Sequence, residues 1–381
     1  MSGRFAELAP FADRSVELEA LAGQQSGAPQ LSPDAVNLPM IRQWVDAMGD
    51  TNPIYVSDRA GRAHGHEGIV APPAMLQVWI MPGLRDSIAT GAAPATEGAA
   101  DAYASMSALL DEEGLTGVRG TNCMQHYRRS LGLGDRLFAR SYIESISDPR
   151  RTRLGPGRFI TTRFEFTAMP DAGVPEAPSP SQIDALAAAG DPVAVMRFGI
   201  LRYLPSAGAG AAHRLPTAPA PSHGASLMDS TMSEDRTSVT FFDVADGDDL
   251  PALVVPITRT LIITGAMAAH DYRDGHHDPD AARAHGAPDI FMDILTTNGL
   301  VGRYATDWSG PRSQVSRVDI RLGAPNYPGS VMTFTGTVIA KGPLAADGQS
   351  GLVTVAVRGS NELGDHVTGT VDVVLPMESA D

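Results

Sequence analysis

The sequence predicts an α+β fold of two related halves, each a central helix wrapped by an antiparallel sheet, packed together as a pseudo-dimer. Three observations carry this. First, Asp50-Thr51-Asn52-Pro53-Ile54-Tyr55 and Asp271-Tyr272-Arg273-Asp274-Gly275-His276 both open on Asp. Ten residues past each start stand Ala60-Gly61-Arg62-Ala63-His64-Gly65 and Ala281-Ala282-Arg283-Ala284-His285-Gly286, so a constant separation of 221 positions aligns both stretches. Second, each copy is followed by runs of β-branched, alternating residues that read as strands. Third, residues 206–235 are rich in Ala, Pro, Gly and Ser with almost no periodic apolar residues, the composition of a connector. The expected division is a first half at 1–205, a linker at 206–235 and a second half at 236–381.

Within the first half, strands are expected at Arg158–Phe166 and Val193–Tyr203. Leu133-Gly134-Asp135 matches Pro328-Gly329-Ser330 at a separation of 195, not 221, so the first half carries 26 extra residues after its motif, within about 83–120. A second insertion, around 168–190, is rich in Pro, Ala and Asp and reads as an exposed excursion. In the second half, strands are expected at Gly329–Ile339, Leu352–Arg358 and Val367–Val374. Asn361-Glu362-Leu363-Gly364-Asp365 supplies turn chemistry between the last two, which predicts an antiparallel meander.

Composition bounds the function. The 381 residues are 43% hydrophobic and 19% charged, ordinary for a globular protein with a full core. A net charge of -15 argues against nucleic acid as the main partner, because phosphate binding needs a basic face. The single cysteine, Cys123, excludes an internal disulfide framework and suits a reducing compartment. The opening Met1–Glu7 has neither a cationic nor an apolar leader segment, and no run is long enough to span a bilayer. The expectation is an unexported, cytoplasmic protein.

Gly49-Asp50-Thr51-Asn52-Pro53-Ile54-Tyr55 resembles the Gly-Asp-x-Asn-Pro-x-His signature of the MaoC-like, R-specific enoyl-CoA hydratases, and Asp271 and His276 hold the two catalytic positions of that signature. Phe241–Asp248 is similar to that family's domain opening, and Leu322–Gly329 to a later strand-turn element. The stretch His270–Asp278, with Asp289–Thr296, most resembles the actinobacterial steroid side-chain enoyl-CoA hydratases. Those are built from two separate hotdog subunits, one active and one degenerate, and this chain looks like the pair fused. The resemblance implies a double hotdog fold, a 2-enoyl-CoA substrate with a bulky steroid side-chain ester, and no redox cofactor or metal. It also implies association into a homodimer and transfer of the product to a retro-aldolase. Arg273 and Asp274 stand where the signature has Asn and Pro, which bears on loop geometry.

The chemistry explains the residue types. Hydration of an α,β-unsaturated thioester requires a base for water, a proton for the α-carbon and donors for the thioester oxygen. Asp271 and His276 would grip one water from two sides, with either as the formal base. The donors are expected at the start of the following helix, for which Asp289 is a plausible N-cap. The resemblance places the oxyanion amide at the N–H of Asp293. In the first half, Pro72-Pro73 stands opposite Asp293-Ile294, and proline has no N–H. That copy lacks both imidazole and amide donors, so it is expected to shape the acyl pocket, with Asp50 bonding its own loop, Tyr55 packing, and the 26 extra residues interrupting or displacing its central helix. Candidate anchors for the coenzyme A phosphates are Arg128, Arg129, Arg317, Arg321 and Arg358 with Asn361. Three other readings remain: a metal site from His270, His276, His277, Asp278 and His285; a hotdog thioesterase attacking the carbonyl; and a non-catalytic acyl-CoA-binding protein.

Overall fold

The computed structural model describes residues 13–90, 101–205, 237–345 and 348–377. The expected linker lies outside the described residues, as do 91–100 of the first insertion.

The first half contributes strands β1 (Gln30–Leu31), β2 (Gly117–Tyr127), β3 (Asp135–Ile146), β4 (Arg150–Thr152), β5 (Gly155–Pro170) and β6 (Asp191–Tyr203). From the second come β7 (Asp249–Pro256), β8 (Gln314–Leu322), β9 (Val331–Leu344), β10 (Ser350–Asn361) and β11 (Gly364–Pro376). The spatial order is β1-β3-β5-β6-β2 and then β8-β11-β10-β9-β7, so the second half repeats the first in reverse across a central seam. At that seam β2 and β8 run antiparallel, with Cys123 opposite Ile320. One continuous sheet therefore serves both halves. The strands expected at Arg158–Phe166, Val193–Tyr203, Leu352–Arg358 and Val367–Val374 fall inside β5, β6, β10 and β11, while the one expected at Gly329–Ile339 begins two residues later, at Val331 of β9. The β10–β11 connection is the two-residue turn Glu362-Leu363, closed by the Asn361 side chain accepting from the Leu363 N–H and by Gly364 at φ 122°.

The helices of the first half are α1 (Ser15–Leu21), α2 (Leu38–Met48), α3 (Asp58–Ala63), α4 (Leu84–Thr90), α5 (Ala102–Glu112) and α6 (Pro180–Ala189). Those of the second are α7 (Arg259–Ala268), α8 (Pro279–Ala284) and α9 (Ile294–Ser309). The separation of 221 positions survives in three dimensions. Helix α2 repeats as α7, the 3-10 turn Pro53–Tyr55 as Asp274–His276, and α3 as α8. Gly65 and Gly286 both adopt positive φ, 90° and 88°. The turn at Gly134 repeats at Gly329, with φ of 87° and 94°.

Helix α9 is the axis of the molecule. Thirteen of its residues are buried, among them Thr and Asn side chains that an ordinary amphipathic helix would turn to solvent. It packs against β8 and β11 of the sheet, against α7, and against α2 and the Pro73–Met75 turn of the first half. Full burial of large apolar side chains contributes roughly 1.5–3 kcal/mol each. Gly336 leaves room for the Tyr304 ring, which stacks on Phe334 with centroids 5.5 Å apart. Arg303, itself buried, donates to the Met48 carbonyl at the end of α2 and so ties the two halves together.

Among the described residues, the first half has no counterpart to α9. Opposite it lie two 3-10 turns, Pro73–Met75 and Val78–Ile80, ended by Pro82-Gly83. Pro82, which has no N–H and crowds the preceding turn, ends the segment; Pro72 and Pro73 stand at its start, where proline is tolerated. The insertion rebuilds the lost packing. Helix α5 lays Met106 and Leu110 with Leu18 of α1 over Ile143 and Ile160. Glu113 at the end of α5 receives two hydrogen bonds, each 2.7 Å, from the buried Arg158. The second insertion is the exposed excursion expected from the sequence, with a helix in it. Its segment forms α6 under a Ser179/Gln182 capping box, and although mostly exposed it seats Ala187 against the sheet. Among the described residues, no helix is long and apolar enough to cross a membrane.

Candidate active site

Helix α7 begins at Thr258, whose hydroxyl accepts the Leu261 N–H, and its exit carries the site. There His270 takes a left-handed conformation, φ 55°, where the first half uses Gly49 at φ 62°. A non-glycine residue in that region is strained by about 1 kcal/mol or more. The turn delivers Asp271, whose N–H donates to Ala266 and whose Oδ1 accepts from the Arg273 N–H. The next 3-10 turn swings His276 back towards it.

Asp271 and His276 are 7% and 6% exposed, and His276 Nε2 stands 3.6 Å from Asp271 Oδ2. That gap is long for a direct hydrogen bond and suited to a bridging water. Nδ1 lies 2.7 Å from the Phe291 carbonyl, which only accepts, so Nδ1 carries a proton, and in the neutral imidazole the Nε2 lone pair faces Asp271. Phe291 also meets the imidazole edge to face, centroids 4.9 Å apart, and holds its plane. A water between the two side chains would donate one proton to each and turn its lone pair outward.

Sequence reasoning set the helix start too early. The N-cap of α9 is Asp293, not Asp289. Asp289 is drawn away by Arg259 and accepts the Ile290 N–H, whereas Asp293 Oδ1 accepts the Thr296 N–H at 2.7 Å and Oδ2 the Thr296 hydroxyl. The cap places the Asp293 N–H at the positive end of a 16-residue helix. Burial raises the Asp293 carboxyl pKa; positive charge on His276 opposes this and negative charge on Asp271 reinforces it. At the aligned position of the first half, Pro72 makes no side-chain cap. Asp50 there accepts the Asn52 N–H at 3.0 Å, and Tyr55 is buried, its phenol raised well above its usual pKa first by desolvation and then by Asp50.

Two residues escaped the sequence reading. The Phe291 carbonyl is a backbone atom that no residue type announces. His366 donates from Nδ1 to the Ala324 carbonyl and accepts at Nε2 from Thr297, so it fastens the first turn of α9 to the sheet. Burial lowers its pKa to about 4. The folded state thus resists a proton that the unfolded chain accepts near 6.5, and the linked stability is full above 6.5 and lost as the pH falls through 4. Urea unfolding at pH 7 and pH 4.5 is expected to show a loss of about 2–3 kcal/mol that His366→Gln largely removes.

The candidate phosphate anchors do not converge. Arg129 is paired with Asp135, Arg317 with Asp319 and Arg358 with Asp365, while Asn361 bonds Pro325 and Asn326. Arg128, just past the end of β2, and Arg321 of β8 are exposed and stand at opposite ends of the β2–β8 ladder, where Asn122 pairs with Arg321 and His126 with Arg317. The histidines proposed for a metal also turn to separate partners, His285 to the Ala281 carbonyl and His277 to Asp274. Among the described residues, no three His, Cys, Asp or Glu side chains group as metal ligands. A small cavity of about 10 Å³ does lie between the halves, lined by Trp44, Pro72, Pro73, Tyr127, Gly302 and Arg303.

Comparison with known proteins places this geometry. Residues 23–176 match the FAS1-like dehydratase domain region. A segment of 127 residues, 33% of the chain, is 46% identical to the 3-oxo-4,17-pregnadiene-20-carboxyl-CoA hydratase beta subunit of Mycobacterium tuberculosis and covers 93% of it. The chain belongs to the MaoC-like enoyl-CoA hydratase family. It is also 46% identical over 132 residues to the alpha subunit of the same name from that organism, covering 35% of this chain and 40% of the subunit. The chain spans under half the length of the alpha subunits it matches, there and in Thermomonospora curvata, where the share is 45%. The double hotdog fold is shared with a solved MaoC-like dehydratase of 21% identity, at a TM-score of 0.64 over 95% of this chain and all of that one. A MaoC-like chain that matches both an alpha and a beta subunit is consistent with two halves of unequal equipment.

Proposed function

We propose that this protein is an enoyl-CoA hydratase that adds water across the double bond of a 2-enoyl-CoA at one active site, in the second half. The observation that carries the reading is the 3.6 Å gap between His276 Nε2 and Asp271 Oδ2, with the Nε2 lone pair turned inward. A water held there loses a proton to one of the two groups as its oxygen bonds the β-carbon. The π electrons move onto the thioester, whose oxygen is met by the Asp293 N–H, and the site returns a proton to the α-carbon. Hydrogen and oxygen of one water end on the product, so no redox cofactor or metal is required. The first half, without imidazole or amide donors, shapes the acyl pocket beside Pro72 and Pro73.

The substrate we assign is a bulky steroid side-chain ester, such as a 17(20)-ene-20-carboxyl-CoA, in preference to a straight chain. Its support is the name carried by the relatives of both kinds. The same reading places the protein in the cytoplasm as a homodimer whose product passes to a retro-aldolase. Incubation with an enoyl-CoA panel that includes this steroid ester tests it. Loss of enoyl absorbance with a hydrated product is expected, fastest for the steroid ester. Release of free thiol without hydrated product would instead assign a thioesterase, and no turnover with retained binding would assign an acyl-CoA-binding protein.

A further inference from the structure

Strands β2 and β8 are equivalents in the two halves, aligned at the separation of 195 positions, and they meet at the seam. Each carries one extra residue at the same place. Gly120 and Asn122 pair with Ile200 and Gly199, leaving Thr121 over, and Val315 and Arg317 pair with Val373 and Asp372, leaving Ser316 over. The residue before this bulge is Gly120 in one strand and Val315 in the other, and both face inward. Val315, 3% exposed, lines the small cavity beside Pro72 and Pro73 at the disabled copy. Gly120 stands beside Ile294, the first residue of α9, where Asp293 presents its N–H.

Glycine within a strand commonly answers a backbone or a packing need. Neither applies here. The backbone of Gly120 is not in the left-handed region. A Cβ added there would meet Ile294 at 3.6 Å, an ordinary van der Waals contact. The bulge does not require glycine either, because the same bulge in β8 is built with Val315. Glycine therefore leaves room at the equipped site that valine fills at the disabled one.

That room opens onto apolar surface. In the second half, Val371 and Val373 of β11, opposite Val318 and Val315, are fully buried. Their equivalents in β6 are Phe198 and Ile200, opposite Cys123 and Gly120, and both stay partly exposed. Val118, next to Gly120 on the same face of β2, is 43% exposed. At the other end of that face Tyr127 lies beside Pro72 and Pro73.

We propose that Gly120 is a specificity-determining residue: its missing side chain is the passage by which the acyl group of a thioester held at the Asp293 N–H crosses the seam onto the face of Ile200 and Phe198. This rests on the hydratase reading and deepens it by naming where the acyl group leaves the reacting carbons. A short acyl chain makes little use of such a passage, whereas a bulky one depends on it. Valine at position 120 would narrow the passage as Val315 closes its counterpart.

Gly120→Val copies the other half, and Gly120→Ala is the milder change. Binding of butyryl-CoA and of a saturated steroid 20-carboxyl-CoA to the full chain is measured by calorimetry. Neither ester has a double bond to hydrate, so binding is read apart from chemistry. In Gly120→Val the ratio of the two affinities is expected to shift at least about tenfold against the steroid ester, the scale on which added methyl groups disturb a fitted site. Gly120→Ala is expected to shift it less, with an unfolding midpoint near the wild-type value, and carries the test if the valine variant does not fold. A ratio unchanged in the folded variants, whether both esters bind as before or weaken together, would overturn the proposal. So would a wild type that binds the steroid ester no better than butyryl-CoA. A wild type that shows the preference, loses it in Gly120→Val and yet hydrates no enoyl-CoA refutes the hydratase reading and leaves the passage standing.

Discussion

Replacing His276 with alanine is expected to lower hydration of an enoyl-CoA by about 10³-fold or more, the range that loss of a positioned acid–base group produces. The variant removes the Nε2 acceptor that faces Asp271 and the Nδ1 donor that holds Phe291. Substrate binding should persist, since the acyl group is assigned to the other half. The expected signature is therefore a collapse of kcat with little change in KM, read from the loss of enoyl absorbance. Tyr55→Phe, at the aligned position, is expected to retain most of the rate, because Tyr55 is a buried packing residue beside a copy with no amide donors. If both halves worked, His276→Ala would leave about half the activity. Adding Tyr55→His to His276→Ala would not restore it, since Pro72 and Pro73 still have no N–H to offer the thioester oxygen.

Much of this was legible in the sequence because it is local. The motif, its 3-10 turn and the helix after it lie within 16 residues, so their geometry depends on contacts at short range and repeats at a separation of 221 positions. The lost amide donors were legible for the same reason, proline being unable to donate whatever surrounds it. The seam was not. Pairing of β2 with β8 joins residues nearly 200 positions apart, and nothing in either strand names its partner. The cap was ambiguous, with Asp289 and Asp293 four positions apart before one apolar run. Tertiary structure decided between them, since Arg259 from α7 draws Asp289 aside and Thr296 binds Asp293. The phosphate anchors failed on a related point, for exposed arginines are commonly claimed by nearby carboxylates, as Arg129, Arg317 and Arg358 are.

Gly265→Val is expected to destabilise the protein by about 3 kcal/mol and to impair catalysis as well. A Cβ at Gly265 would sit 2.4 Å from the Thr296 hydroxyl and 2.8 Å from its methyl. Thr296 cannot swing aside, because its N–H and hydroxyl both bind Asp293. Insertion of methyl groups into so close a crossing forces helices apart at a typical cost of 1–3 kcal/mol, near the top of that range where neither side yields. Pseudo-symmetry sharpens the point. Gly265 stands 221 positions from Trp44, so one helix position carries the smallest side chain in one half and the largest in the other. Trp44 meets α9 where Gly299 makes room, and Gly265 makes room where Thr296 intrudes. The two halves thus grip α9 by opposite means, and only the grip at Gly265 bears on the cap. Urea unfolding of Gly265→Val, Thr296→Ala and the double variant separates the parts: a positive coupling, the second change relieving the first, is expected if the clash is with Thr296. Strict additivity would place the strain elsewhere in α7.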